Sequence, residues 1–332
     1  MTVLFASRTF FERHDADLVR ISAVEGPRGP IERIEVPEGE VTVLSPADSV
    51  RITVAFSSID LLGRPQLGLP QRFMAAALGA PNLEWLHMRG VGSDDPVYDG
   101  LLARGITVSN SVGSTAEPIA TTTVAALLSL ARGLPFYGAN QREHGWRLQR
   151  APNDLSGQTV TIVGYGSIGG YVAKYLRAFG VRIIGVRRTP ATAADGVDEW
   201  VPPDRLAEVL PRTHWLVLAT PLTPETRGLI GAQALALLPA GAHLLNIGRG
   251  PVVDEAALIE ALRSGHLAGA YLDVFAKEPL PEESPLWDMP NVIITPHDSA
   301  TSRGNLARVN AIFLEELERW QRGEQPKRRI ER

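Results

Sequence analysis

The run Gly164-Tyr165-Gly166-Ser167-Ile168-Gly169 constrains the fold of this chain more than any other segment. It follows a short apolar stretch, Thr159 to Val163, and opens a helical pattern reaching about Phe179, with Gly180 placed to end it. Strand, tight glycine turn and helix in that order begin a βαβ unit, whose second strand must lie parallel to the first. The three glycines have separate duties there. Gly164 permits the tight turn, Gly166 lets backbone approach a pyrophosphate, and Gly169 lets helix pack on strand. The amides that open the helix, at Ser167 and Ile168, then face phosphate charge. A loop with incidental glycines is the duller reading, and the flanking strand and helix argue against it.

The pattern continues beyond the turn. Val181 to Val186, Trp215 to Ala219, His243 to Ile247, Ala270 to Val274 and Val292 to Thr295 read as further strands. Helical stretches at Asp204 to Leu210 and Asp254 to Arg263 separate some of them. The expectation is a Rossmann-type doubly wound parallel sheet of six strands. The first hundred residues repeat this logic on a smaller scale. Val50 to Phe56, Leu83 to His87 and Ile106 to Ser109 are strand-like, and Gln71 to Leu78 and Pro96 to Ala103 are helical. Gly26 to Glu40, rich in Pro, Gly and charge, reads as an exposed loop or edge.

Two further helices bear on organisation. Pro118 to Ala131 is mostly apolar, as a helix between domains or subunits would be. The final helix places Leu306, Val309, Phe313, Leu317 and Trp320 on one face, and the first domain is the expected partner of that stripe. The division predicted is a smaller flavodoxin-like α/β substrate domain at 1–111 and 299–332, and a dinucleotide-binding domain at 112–298. Residues from about 135 to 158 read as an irregular arm that embraces a second subunit.

Composition narrows the function classes. The 332 residues carry a formal net charge of -4, which gives little attraction to nucleic-acid phosphates. There is no cysteine, so disulfides, thiolate zinc sites and thiol redox chemistry are excluded, and no metal is expected. Arg8, Glu12 and Arg13 interrupt the stretch where a secretory leader needs unbroken apolar residues, and no apolar run has the length of a membrane span. A cytoplasmic protein is expected.

The end of the second strand indicates which dinucleotide fits. An NAD site usually places an acidic residue here, for the ribose 2′-hydroxyl. This chain has Arg187 and Arg188. Guanidinium forks bind phosphate, whereas a carboxylate repels it, so NADP is the preferred cofactor with NAD as an alternative. If both arginines are merely solvated surface residues, the site accepts either.

Ligands of open α/β sheets bind beyond the carboxyl ends of the strands. The last three strands end in Asn246-Ile247-Gly248-Arg249-Gly250, in Asp273-Val274-Phe275-Ala276-Lys277-Glu278 and in Thr295-Pro296-His297. Hydride reduction of a ketone leaves negative charge on the carbonyl oxygen, and a histidine at His297 suits the proton donor. A carboxylate at Glu278 stabilises the charged ring and fixes its orientation. Arg249 suits a substrate carboxylate through paired hydrogen bonds. Each alone reads as a packing or surface residue; three matched strand ends read as catalysis.

At these residues the sequence resembles the D-isomer-specific 2-hydroxyacid dehydrogenases over nearly its whole length. The glycine run, Pro221-Leu222-Thr223-Pro224-Glu225-Thr226-Arg227-Gly228-Leu229-Ile230, Asn246 to Asp254, Leu272 to Leu280 and Thr295 to His297 carry the resemblance. It implies a homodimer of two-domain subunits that reduces a small 2-oxo acid to a D-2-hydroxy acid, as a glyoxylate or hydroxypyruvate reductase does. It also implies catalytic roles for Arg249, Glu278 and His297, with cofactor contacts at Thr220, Pro221, Thr226, Ile247 and Asp273. Gly90-Val91-Gly92-Ser93-Asp94 looks like the family's substrate loop, with the amides of Val91 and Gly92 on the carboxylate; an ordinary turn is the alternative. Arg89, just before it, either favours a second acidic group on the substrate or points to solvent. Ala120-Thr121-Thr122-Thr123 departs from the Glu and His often found there in the family. Phosphoglycerate dehydrogenase and a dinucleotide-sensing corepressor are the alternative functions, the former without an added regulatory domain after the last helix.

Overall fold

The computed structural model describes residues 1–38, 43–63, 65–90, 97–148, 152–189 and 196–330. The chain divides into two compact units, one made of Met1–Thr115 with Ser302–Arg332 and the other of Ala116–Thr301.

In the first unit, β1 (Thr2–Ala6), β2 (Ile31–Glu35), β3 (Val54–Ser57), β4 (Trp85–Met88) and β5 (Thr107–Asn110) form one sheet in the order β2-β1-β3-β4-β5. All its pairings are parallel. The order reverses between β1 and β3, the arrangement of a flavodoxin-like sheet. Both faces are covered, so the inner strands β1 and β3 are buried residue after residue instead of alternating. Val54 and Phe56 face one core while Ala55 faces the other. β2 lies in the stretch read from sequence as loop or edge, and it is the edge strand, with only Ile34 of its five residues buried. The final helix, Asn305–Gln321, covers one face of this unit. Val309, Phe313, Leu317 and Trp320 are buried, whereas Leu306 is only half-buried. Phe313 lies flat on Phe56 with ring centroids 3.9 Å apart, and Phe73 stacks on Phe5 on the other face at 5.3 Å.

In the second unit, β6 (Thr159–Val163), β7 (Arg182–Val186), β8 (Glu199–Val201), β9 (Trp215–Leu218), β10 (Ala242–Asn246), β11 (Leu267–Leu272) and β12 (Val292–Ile294) follow one another along the chain. They form a sheet in the order β12-β11-β10-β9-β6-β7-β8, again entirely parallel. Seven strands replace the six expected. The extra strand, β8, is three residues of mixed character at the sheet edge, too short to show a period. Its Glu199 is gripped by Arg182 and Arg212.

Two other expectations are corrected. The helix expected at Asp204 to Leu210 is a single α-turn, Leu206–Val209, between 3-10 turns at Pro203–Arg205 and Leu210–Arg212. Pro211 supplies no amide to continue it. Within the stretch read as irregular, Leu134–Arg142 is helical, with Pro135 in its first turn and Gly133 before it at φ 65°. Proline is tolerated there because the first amides have no intrahelical acceptor.

The helix Ala116–Ala131 packs against Ser167–Leu176 and buries nine of its sixteen residues. Among the described residues no single helix is long and apolar enough to cross a membrane; Ala116–Ala131 and Leu134–Arg142 have the composition only together, and they are bent by 72° at their break.

Candidate active site

β6 and β9 are neighbours at the point where strand order reverses, and the glycine turn stands at their carboxyl ends. Gly164 has φ 89°, and a Cβ there would lie 2.6 Å from the Thr220 amide nitrogen. A Cβ on Gly169 would meet Ile162 Cγ2 at 3.0 Å, so the helix Ser167–Leu176 sits close on its strand. Around Gly166, by contrast, a Cβ would meet nothing within 4 Å. Gly166, at the cap position, has no side chain to cover the helix start, so among the described residues the first amides are presented to that open space. Two close approaches flanking one clear position are what a pyrophosphate-binding turn needs, and the residues fit a dinucleotide.

Other expected cofactor residues flank this turn. Thr220 and Ile247 are buried at the ends of β9 and β10. The Pro221 to Thr226 loop is self-braced: Thr226 Oγ1 donates to the Pro221 carbonyl at 2.7 Å and accepts from the Thr223 amide at 2.7 Å. A recess of about 670 Å³ is lined by Gly166, Ser167, Lys174, Arg177 and Arg187 among its residues. Lys174 and Arg177 were not found from sequence. Their signal was helical spacing, since 167, 170, 174 and 177 share one helix face. Arg188 is exposed and lowers the pKa of Glu225, behind the larger effect of the Thr223 hydrogen bond.

The catalytic candidates stand on three adjacent strand ends, those of β10, β11 and β12. Arg249 lies between two glycines that cannot be anything else. A Cβ on Gly248 would come within 2.5 Å of the Thr220 carbonyl, and one on Gly250 within 1.9 Å of the Phe275 carbonyl. Asn246 fastens the same turn, accepting from the Gly248 amide and donating to the Arg249 carbonyl, both at 3.1 Å. Gly250 therefore seats the Arg249 turn against the backbone that leads to Glu278.

Glu278 uses both carboxylate oxygens. Oε1 accepts from the Phe275 amide at 3.0 Å, and Oε2 is 2.8 Å from His297 Nδ1. With Nδ1 turned to the carboxylate, Nε2 is the nitrogen left for a reacting group. The two side chains retain 49% and 36% exposure, so the pair is accessible. Phe275, Leu280, Trp287 and Ile294 line an apolar hollow of about 430 Å³ beside them.

His297 is held in the left-handed region, at φ 54°, where residues other than glycine are uncommon. Asp273 accounts for it. Its carbonyl accepts from the His297 amide at 2.8 Å, and its side chain collects the amides of Asp298 and Ser299 at 2.9 and 3.0 Å. Thr295 Oγ1 donates at 2.6 Å, and the Ser299 hydroxyl donates to the other oxygen. Tyr271, its phenol pushed up to about 12 by burial, is hydrogen-bonded to Thr295. Asp273 is thus buried and committed to fastening the histidine turn, which sequence reasoning did not foresee.

In the first unit, Arg89 is half-buried and donates to Ser57 Oγ at 2.6 Å; burial lowers its pKa. Val91 and Gly92 lie outside the described residues. In Ala120 to Thr123, the hydroxyls of Thr121 and Thr123 bond back to the helix carbonyls of Glu117 and Ile119.

Fold and geometry together define a doubly wound dinucleotide-binding protein with a histidine–carboxylate pair at its strand ends. Comparison with known proteins gives the family. Residues 124–299 match the NAD binding domain of the D-isomer specific 2-hydroxyacid dehydrogenases. A glyoxylate reductase of Korarchaeum cryptofilum is 36% identical over 74% of this chain and 76% of its own length. A D-3-phosphoglycerate dehydrogenase of Mycobacterium tuberculosis is 36% identical over 79% of the chain, which spans only 49% of that longer protein. A D-isomer specific 2-hydroxyacid dehydrogenase of Xanthobacter autotrophicus, solved with NADPH and MES, superposes with TM-score 0.74 at 32% identity, over 99% of this chain and 98% of that one. The chain belongs to the D-isomer specific 2-hydroxyacid dehydrogenase family, oxidoreductases acting on CH–OH donors.

Proposed function

We propose that this protein reduces a small 2-oxo acid to the D-2-hydroxy acid with NADPH, with His297 as proton donor. The observation that carries the reading is the 2.8 Å contact between His297 Nδ1 and Glu278, on the strand end beside the turn that bears Arg249. The bound cofactor supplies the hydride. The chain supplies the rest: Arg249 holds the substrate carboxylate, and His297 Nε2 gives its proton to the carbonyl oxygen. Glu278 keeps the ring oriented and balances its charge while protonated. Arg187 and Arg188 favour the 2′-phosphate, and a family member solved with NADPH is consistent with that preference.

Glyoxylate or hydroxypyruvate is the proposed substrate class, supported by the glyoxylate reductase that matches over most of its own length. Phosphoglycerate oxidation is the second reading, favoured by equal identity to the mycobacterial enzyme. The first unit is assigned the substrate-domain role. The segment after Leu134–Arg142 exposes Trp146 at 96% and Leu148 at 78%, which supports its assignment as a homodimer arm.

Replacing His297 by Gln tests the reading. Reduction of glyoxylate and hydroxypyruvate is expected to fall by about 10²–10⁴-fold, with NADPH affinity unchanged in calorimetry. Turnover near that of the unsubstituted protein removes His297 from the mechanism.

A further inference from the structure

The arginine that reads the cofactor is itself held by an aromatic platform. Arg187 follows β7, and its guanidinium carbon lies 4.5 Å from the centroid of the Trp200 ring. Trp200 is the middle residue of β8, paired directly opposite Gly185. A Cβ on Gly185 would stand 2.5 Å from the indole, although the glycine has an ordinary strand backbone. The missing side chain is therefore required by the indole and not by φ. Tyr165, inside the glycine turn, meets the same indole edge-on at 4.8 Å and 80°. One aromatic ring thus touches the phosphate-binding turn, the bare strand position and the cation.

The other cations of this recess are held differently. Arg177 donates to the Gly196 carbonyl at 2.6 Å and pairs with Asp198 at 3.6 Å, while Lys174 extends over Tyr171. Arg187 Nε donates to the Thr189 carbonyl at 2.9 Å, which fixes one edge of the fork while the indole fixes its plane. A guanidinium loses rotamer freedom when it grips a phosphate, and one already held flat on an indole loses less.

We propose that Trp200 is a positioning residue for cofactor selection: it holds Arg187 in the plane from which the fork engages the 2′-phosphomonoester of NADPH, and Gly185 is glycine to admit it. The inference rests on the NADPH preference proposed above. Its test measures binding, not turnover, with calorimetric Kd values for NADPH and NADH.

Trp200→Leu is expected to weaken NADPH binding about three- to tenfold, the scale of a lost cation–π contact, with NADH binding changed less than about twofold. Trp200→Phe, which keeps an aromatic face, is expected to recover most of the loss. Gly185→Ala, which pushes the indole away while residues 200 and 187 keep their identity, is expected to reproduce the Leu phenotype; it serves also where the Leu variant fails to fold. Arg187→Gln, as the control, flattens the NADPH-to-NADH ratio. If that control flattens the ratio while Trp200→Leu preserves it, or weakens both cofactors equally, the positioning role is overturned and the cofactor reading stands. Equal binding of both cofactors by the unsubstituted protein overturns the cofactor reading, and this inference with it.

Discussion

Gly250 shows how a single hydrogen atom in place of a methyl fixes the packing of a candidate site. No conformational freedom is at issue, because its φ lies outside the left-handed region. What matters is that the Phe275 carbonyl fills the place of a side chain. Gly250→Ala must push apart the strand-end loops whose packing seats the Arg249 turn against the Phe275 backbone that Glu278 also grips. The expected cost is about 2–4 kcal/mol in chemical denaturation, as for other forced overlaps, with substrate KM raised more than the Kd of NADPH. Stability and KM both unchanged would show that the loops yield freely. The residues of this site were legible as types at strand ends: a histidine, a carboxylate and a guanidinium of matched chemistry. Their fastenings were not. The left-handed His297, the four donors gathered by the Asp273 side chain, and Gly185 beneath Trp200 all depend on groups remote in sequence, which no local pattern encodes.

At the scale of elements, periodicity was informative where a segment was long or flanked by turn residues. β6 was delimited to the residue because an apolar run met a glycine turn, and the final helix announced its buried stripe. β8 escaped notice because three residues carry no period. β1 escaped because only Met1 stands before it in the sequence, with no turn residue to mark its start. The final helix also carries a prediction about packing. Phe313 is fully buried between Phe10, Phe56 and Trp85. Phe313→Ala is expected to destabilise the first unit by about 3–5 kcal/mol. Hydrogen exchange should quicken in β3 and β4 while β6 to β12 keep their protection. Uniform quickening in both sheets would show that the loss is not confined to the unit in which Phe313 packs.

At the scale of the whole molecule, each unit contains a histidine that burial keeps neutral. His87, bonded through its two ring nitrogens to Ser109 and Ser111, is pushed down to about 3, chiefly by burial and secondarily by Arg328. His243, stacked on Trp215 at 4.0 Å, is pushed down to about 4 by burial. The unfolded chain takes up these protons below about 6.5, while the folded chain refuses them. Stability is therefore full above that pH. It declines as pH falls toward about 4 for His243 and about 3 for His87, by up to about 1.4 kcal/mol per pH unit for each group. Urea midpoints at pH 7 and pH 5 check this, with His87→Gln expected to flatten the acid response of the first unit alone. An unchanged midpoint between the two pH values would show that neither ring resists protonation. The chain leaves the first unit after Thr115 and rejoins it at Ser302, so the helix that roofs β3 and β4 is synthesised after every residue of the second sheet. On the ribosome, then, the unit begun first is completed last: β1 to β5 must wait, half-covered, for a closing piece nearly two hundred codons downstream.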